Sequence, residues 1–322
     1  MTNFQVYKKT LLFSVVDFFV GLFALAILAG SMTAGYFIAN TSSDRALIGL
    51  VVGFVIGLVP VIAISYLVNN RIKAAQIAMM VKGIHEGDLP DHTFSEGFKE
   101  IKGRFGKITL FFFVTNIIKG IFNQLGRGIT RFGNAVGGQV GGSIGSAVDS
   151  AIQTLVSYLC DCCLAWIIFR KEESVTKAGC EGAVIFFKHG KTLIRNVGRI
   201  FGMGFLSLIL IGGAFFGAGY GICSLFPQAF ESLAAEVSEI AVRSGEEVPE
   251  FFQNPTTFML FIVGIGALVL WGMVHAMAIR PFILVGVMRN FLEAGQKDMP
   301  TEQDFAELDK MSPKFAKLHN KI

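Results

Sequence analysis

The chain has 322 residues, of which 52% are hydrophobic and 16% charged, with a formal net charge of +4, 37 Gly, 32 Phe and 5 Cys. A soluble domain carries roughly 25% charged residues, so 28 Lys+Arg and 24 Asp+Glu are too few to coat a water-facing surface of this size. No Gly period of three occurs, the hydrophobicity is too high for disorder and Cys is too scarce for a disulfide framework, which leaves an integral membrane protein.

A bilayer core of about 30 Å takes about 20 apolar residues per helix. Residues 11–39 form the first predicted span, interrupted by Asp17 near its start. The run is longer than the roughly 7–15 residues of a signal-peptide core, so it reads as an uncleaved span. Asn40-Thr41-Ser42 matches a glycosylation acceptor but lies at the membrane edge and reads as a polar loop. Residues 46–69 form the second span, with Gly49, Gly53 and Gly57 at every fourth position. Residues 71–104 then leave the membrane as a basic stretch, a turn at Gly87-Asp88-Leu89-Pro90 and a short helix from about Ser95.

The third predicted span, 105–125, has an uninterrupted apolar core only from Ile108 to Ile118 and contains Asn116. A Gly-rich segment follows, with Gly133, Gly137, Gly141 and Gly145 on one helical face. Each glycine costs about 1 kcal/mol relative to Ala in a solvated helix, so this segment needs tertiary or intersubunit packing, or is a loop. Residues 150–169 form the fourth span, with Asp161 near mid-depth. Residues 171–199 read as an amphipathic interfacial helix, turning Ala183, Phe186, Phe187, Leu193 and Ile194 to lipid.

The fifth span, 200–226, carries Gly213, Gly217 and Gly221. The loop 227–256 holds six Glu against Arg243 alone, with a helix striped by Phe230, Leu233, Ala234, Val237, Ile240 and Ala241. The sixth span, 257–279, contains His275 and ends at Arg280-Pro281. The tail 291–322 restarts a helix after Ser312-Pro313, cap followed by first-turn proline.

With both termini inside and six spans, 23 of the 28 basic residues fall on the cytoplasmic side, as the positive-inside rule requires. Dropping 105–125 alone would throw the basic segment 170–199 outside, so the third and fourth spans cross together or both stay re-entrant. The expected fold is an all-α integral membrane protein of the cytoplasmic membrane. It has six transmembrane helices over 1–290, interfacial helices, a Gly-rich segment and a cytoplasmic tail.

An ionisable group at bilayer depth costs a few kcal/mol and is a functional hypothesis by default. Asp161 is the leading one, followed by His275, Asn116 and Asp17. They fit a polar path for a small solute, an ion or a proton. Asp161 equally fits a pair with a buried cation such as Arg127 or Lys119 that locks helices together. Cys160, Cys162 and Cys163 read as small buried hydrophobes rather than metal ligands, so neither metal nor cofactor is expected. No GxxxxGK[ST], G-x-S-x-G or H-E-x-x-H pattern occurs, so neither nucleotide binding, nucleic-acid binding nor catalysis is expected. The glycine stripes fit close helix packing, within one bundle or between copies in a homo-oligomer.

Across 95–322 the chain resembles the C-terminal half of the choline transporter-like family. The resemblance is carried by Phe98-Lys99-Glu100-Ile101-Lys102-Gly103-Arg104-Phe105-Gly106-Lys107, a Cys-rich stretch, Cys180 ahead of Phe186-Phe187, and Asn290-Phe291-Leu292-Glu293 followed by Met311-Ser312. The chain departs from the family in lacking its long N-terminal half and large extracellular domain. It also places Arg280-Pro281 where the family tends to carry an acidic residue. The expected function is membrane transport of a small or charged solute, as transporter or oligomeric channel. The alternative is a non-transporting scaffold or assembly subunit.

Overall fold

The computed structural model describes residues 1–39, 46–102, 120, 141–189, 200–243 and 254–321. Among the described residues the regular structure is helical, with no strand. The chain divides into two compact units, Met1–Gly198 with Pro281–Ile322, and Arg199–Arg280.

In the first unit, α1 (Asn3–Ala39) and α2 (Ala46–Ile64) form an antiparallel hairpin. Its seam is made of small residues. A Cβ on Gly49 would strike the backbone of Gly35, and one on Gly53 the carbonyl of Ser31. Gly57 lies against the Ser31 hydroxyl and Leu28. The first predicted glycine stripe is therefore filled by the chain's own α1, which lets the two backbones approach where no hydrophobic drive joins helices in lipid.

Helix α2 runs through a five-residue π turn, Ser65–Asn69, into α3 (Asn70–His85). Burial changes along both long helices. On α1, Val6, Thr10, Phe13 and Ser14 are buried, whereas Phe19, Phe23, Phe37 and Ile38 stand 60–79% exposed. Along the other helix, Ile56, Val59 and Ile62 are exposed, but Ala74, Ala75, Gln76, Ile77, Ala78, Met79, Met80 and Val81 are all buried. Exposed apolar surface of this extent is stable against lipid and costly against water. The exposed apolar parts are long and apolar enough to cross a membrane, and the buried parts belong to a packed domain.

That domain is completed by α4 (Thr93–Lys102), α5 (Gly141–Phe169), α6 (Val175–Lys188), α10 (Arg280–Lys297), α11 (Glu302–Met311) and α12 (Pro313–His319). Trp166 of α5 lies at its centre, fully buried, edge-on to Phe291 at 6.5 Å and beside Gly295. Gly87, at φ 76°, makes the turn between α3 and α4 in a conformation only glycine adopts freely. Ser174 caps α6, Thr301 and Asp304 form a reciprocal capping box on α11, and Ser312 caps α12 with Pro313 in its first turn. The tail segment 291–322 is thus built into this unit.

The second unit contains α7 (Ile200–Cys223), α8 (Pro227–Arg243) and α9 (Pro255–Val274). Asn254 caps α9 by accepting from the backbone N–H groups of Thr256 and Thr257. Helices α7 and α9 pack side by side, and α8 packs on α9. A second π turn, Leu208–Gly212, lies within α7, and a third, His275–Ile279, follows α9.

One order of elements occurs twice. An apolar span passes through a π turn (Ser65–Asn69, His275–Ile279) into a core helix (α3, α10). An Asp-x-Pro link follows (Asp88-Leu89-Pro90, Asp298-Met299-Pro300), then a short helix (α4, α11). The π turns and the links recur at a common offset.

Among the described residues four helices are long and apolar enough to cross a membrane: Asn3–Ala39, Ile48–His85, Ile200–Cys223 and Pro255–Lys297. Six were expected. The segment 105–125 lies outside the described residues apart from Gly120. Residues 150–169 are helical, but their described apolar part, Gln153–Phe169, is shorter than a span, and every residue from Tyr158 to Trp166 is buried in the domain. A helix that is apolar all round is compatible with lipid or with burial in protein, and here protein covers it. The expected interfacial helix differs likewise. Ala183, assigned to lipid, is buried in α6 with Val175, Ala178, Cys180, Val184 and Ile185, Phe186 and Phe187 are half-buried, and Leu193 and Ile194 lie outside the described residues.

Candidate functional site

Helix α5 places Asp161 inside the domain, 3% exposed, because Cys160, Cys162, Cys163 and Leu164 on either side of it are also buried. Its Oδ1 lies 2.6 Å from Nζ of Lys73 on α3. A buried carboxylate is tolerated when a cation and hydrogen bonds replace its lost hydration. The two expected cations, Arg127 and Lys119, lie outside the described residues. Lys73 is a lysine of the basic stretch after the second span. The pair joins α3, the continuation of a spanning helix, to α5.

A second buried carboxylate lies one helix away. Glu181 of α6, 4% exposed, accepts a 2.9 Å hydrogen bond from the Trp166 indole N–H and stands 3.4 Å from Nε of Arg170. Arg170 also donates to Glu173 at 3.1 Å. At the foot of the hairpin, the Gln76 amide donates to Ser14 Oγ at 2.6 Å and to the Thr10 carbonyl at 3.3 Å. These contacts tie α1, α3, α5 and α6 by directional bonds, worth more in a low-dielectric interior than at the surface.

The thiols do not make a reactive centre. Cys160, Cys162, Cys163 and Cys180 are buried, and none of them is in a disulfide. Burial, followed by the Asp309 and Glu181 carboxylates, pushes the Cys180 thiol up to about 12, so it stays protonated and a poor nucleophile. Among the described residues no group of three or more His, Cys, Asp and Glu side chains could hold a metal ion.

His275 lies in the second unit, its ring 5.2 Å from that of Trp271, whose indole N–H donates to Ser207 Oγ at 3.1 Å. Asp17 is half-buried on α1, one turn from Ser14. Asn116, Gly133 and Gly137 lie outside the described residues, while Gly141 and Gly145 fall in the first turns of α5. On α7, a Cβ added at Gly213, Gly217 or Gly221 would meet nothing within 4 Å among the described residues, whereas one at Gly219 would touch Val263 of α9.

Lys73, Arg170 and Glu181 escaped the sequence reading, although a signal for two of them was present. Glu181 sits among Gly179, Cys180, Gly182 and Ala183, and Lys73 precedes Ala74 and Ala75. A charge amid small residues on a helix marks close packing rather than a solvated face.

No protein-family model matches the chain, and no curated protein or solved structure matches it. The resemblance to the choline transporter-like family rests on the residues quoted for it.

Proposed function

We propose that the chain is a membrane-anchored assembly subunit that self-associates through α7 and holds its packed helical domain at the basic, cytoplasmic side. The contrast between two glycine stripes carries this reading. Gly49, Gly53 and Gly57 are covered by the chain's own α1, while Gly213, Gly217 and Gly221 meet nothing among the described residues. The same physics that closes the first stripe makes the second a seat for another helix. Copies inserted in one orientation present α7 in parallel, which a two-fold pairing of identical stripes requires. With four spans, only Arg45 and Arg243 of the 28 basic residues remain outside, in keeping with both termini inside. The closure of Asp161 by Lys73 further supports a structural use of that carboxylate.

The test is particle mass in a mild detergent, for the wild type and for Gly217→Leu. A multiple of 35.0 kDa that falls to one chain in the variant, with helix content retained, is the expected result. A wild type that is already a single chain, or an oligomer indifferent to Gly217→Leu, overturns the reading.

The polar cluster of Ser207, Trp271 and His275 on two spanning helices favours transport as a second reading. It predicts a solute flux in proteoliposomes that His275→Ala abolishes at unchanged abundance.

A further inference from the structure

We infer that the first unit binds a small zwitterion of amino-acid size in a cleft at the end of α3 farthest from the π turn. The cleft has a volume of about 270 Å³, just below the roughly 300–1,000 Å³ of drug-sized ligand sites. It is therefore matched to a compact metabolite rather than a nucleotide. Its floor is apolar, made by Ala78 and Val81 of α3 with Ile168 and Phe169 at the end of α5. The ring of His85 stands edge-on to that of Phe169 at 5.0 Å and walls one side.

The rim carries both signs of charge. Lys82 comes from the last turn of α3, Glu86 from its C-cap, Glu100 from α4 and Lys171 from the segment after α5. The spacing of Ala78, Val81, Lys82 and His85 puts them on one helical face. Across the rim, Lys171 Nζ lies 3.0 Å from Glu100 Oε1. Lys82 Nζ lies 3.9 Å from Glu86 Oε2, beyond hydrogen-bond length.

Two ammonium groups and two carboxylates around an apolar floor select against simple ions. An anion would meet Glu86 and Glu100, and a cation would meet Lys82 and Lys171. A molecule bearing an ammonium and a carboxylate on one carbon satisfies both sets, and an apolar side chain then covers Phe169 and Val81. The site goes beyond the assembly reading and does not depend on it. Because Ile48–His85 is one continuous helix, its occupant would rest on the last turn of a membrane-crossing helix.

The experiment is calorimetric titration of the purified full chain in detergent. The probes are L-leucine and L-phenylalanine, with 4-methylpentanoate and isoamylamine as leucine lacking one charge or the other. The expected result is binding of at least one amino acid, with both single-charge probes at least about tenfold weaker. Lys82→Gln and Glu100→Gln should each weaken the bound amino acid by about tenfold or more, with elution volume and melting temperature unchanged. If neither amino acid binds the wild type, the inference fails. It fails equally if 4-methylpentanoate binds as well as leucine, or if binding survives Lys82→Gln, Glu100→Gln and Phe169→Ala undiminished.

Discussion

Lys73 on α3 and Asp161 on α5 form an ion pair at 2.6 Å whose two ends differ in exposure, 36% for the lysine side chain and 4% for the carboxylate. The pair bridges the continuation of a spanning helix and the buried helix of the domain, so each partner's removal has a different consequence.

Lys73→Met strands a buried carboxylate without this cation and is expected to destabilise by up to about 3–5 kcal/mol. Asp161→Asn leaves a lysine that turns to solvent, and should cost about 1.5–3 kcal/mol, the scale of one lost hydrogen bond to a charged group. Chemical unfolding monitored by helix content measures both. The double variant should recover most of the Lys73→Met loss. Equal costs for the two single variants would contradict the asymmetric burial.

Gly295 of α10 is a packing necessity. A Cβ there would lie 2.6 Å from Trp166 Cζ3 and 2.7 Å from Ile185 Cδ1, inside any ordinary carbon contact. Gly295→Ala should destabilise by about 1–3 kcal/mol through overpacking, despite the better helix propensity of Ala. Gly202→Ala, where nothing lies within 4 Å, is the control and should be neutral or mildly stabilising. Melting temperatures of the two variants settle the comparison.

The five cysteines should divide four to one. Cys160, Cys162, Cys163 and Cys180 are buried and Cys223 is half-exposed. Maleimide at neutral pH is expected to add once to the folded chain and four more times after denaturation, counted by intact mass. A membrane-impermeant maleimide applied to sealed right-side-out vesicles should reach Cys223 if α7 ends at the outer face.

Docking of α11 onto α6 should be flat across neutral pH and weaken at both extremes. Lys188 contacts Asp298 at 2.8 Å and Asp304 at 2.9 Å. The hydrogen bonds it donates to these carboxylates raise Lys188 above its ordinary 10.5. Its contribution is therefore complete below that pH and is lost as pH rises through the folded value. Burial opposes ionisation of Asp304, but the Thr301 backbone N–H, the Lys188 ammonium and the Thr301 hydroxyl outweigh it and hold the carboxyl below its ordinary 3.8. That contribution is complete above 3.8 and is lost as pH falls through the folded value. Amide exchange across α11, corrected for intrinsic rates, should be unchanged between about pH 5 and 9 and accelerate below about pH 4. These two contacts are surface-exposed, so the effect is local rather than global unfolding.

Composition and periodicity were enough to determine an all-helical chain with apolar helices long enough to cross a membrane, a turn at Gly87–Pro90 and a capped helix after Ser312-Pro313. These are local properties: hydropathy integrated over about 20 residues, a glycine in a left-handed turn, a serine accepting from a helix N-terminus. The candidate site was legible only in part. Asp161 stood out because a carboxylate in an apolar helix is costly wherever it lies, but its partner and its surroundings did not follow. Only the tertiary structure decided that the described parts of α5 and α6 are covered by protein, that Lys73 closes on Asp161, and that one glycine stripe is filled while another meets nothing among the described residues. The reason is that lipid and a protein interior are nearly equivalent solvents for an apolar side chain. Hydropathy cannot distinguish them, and long-range packing alone determines which of the two each helix meets.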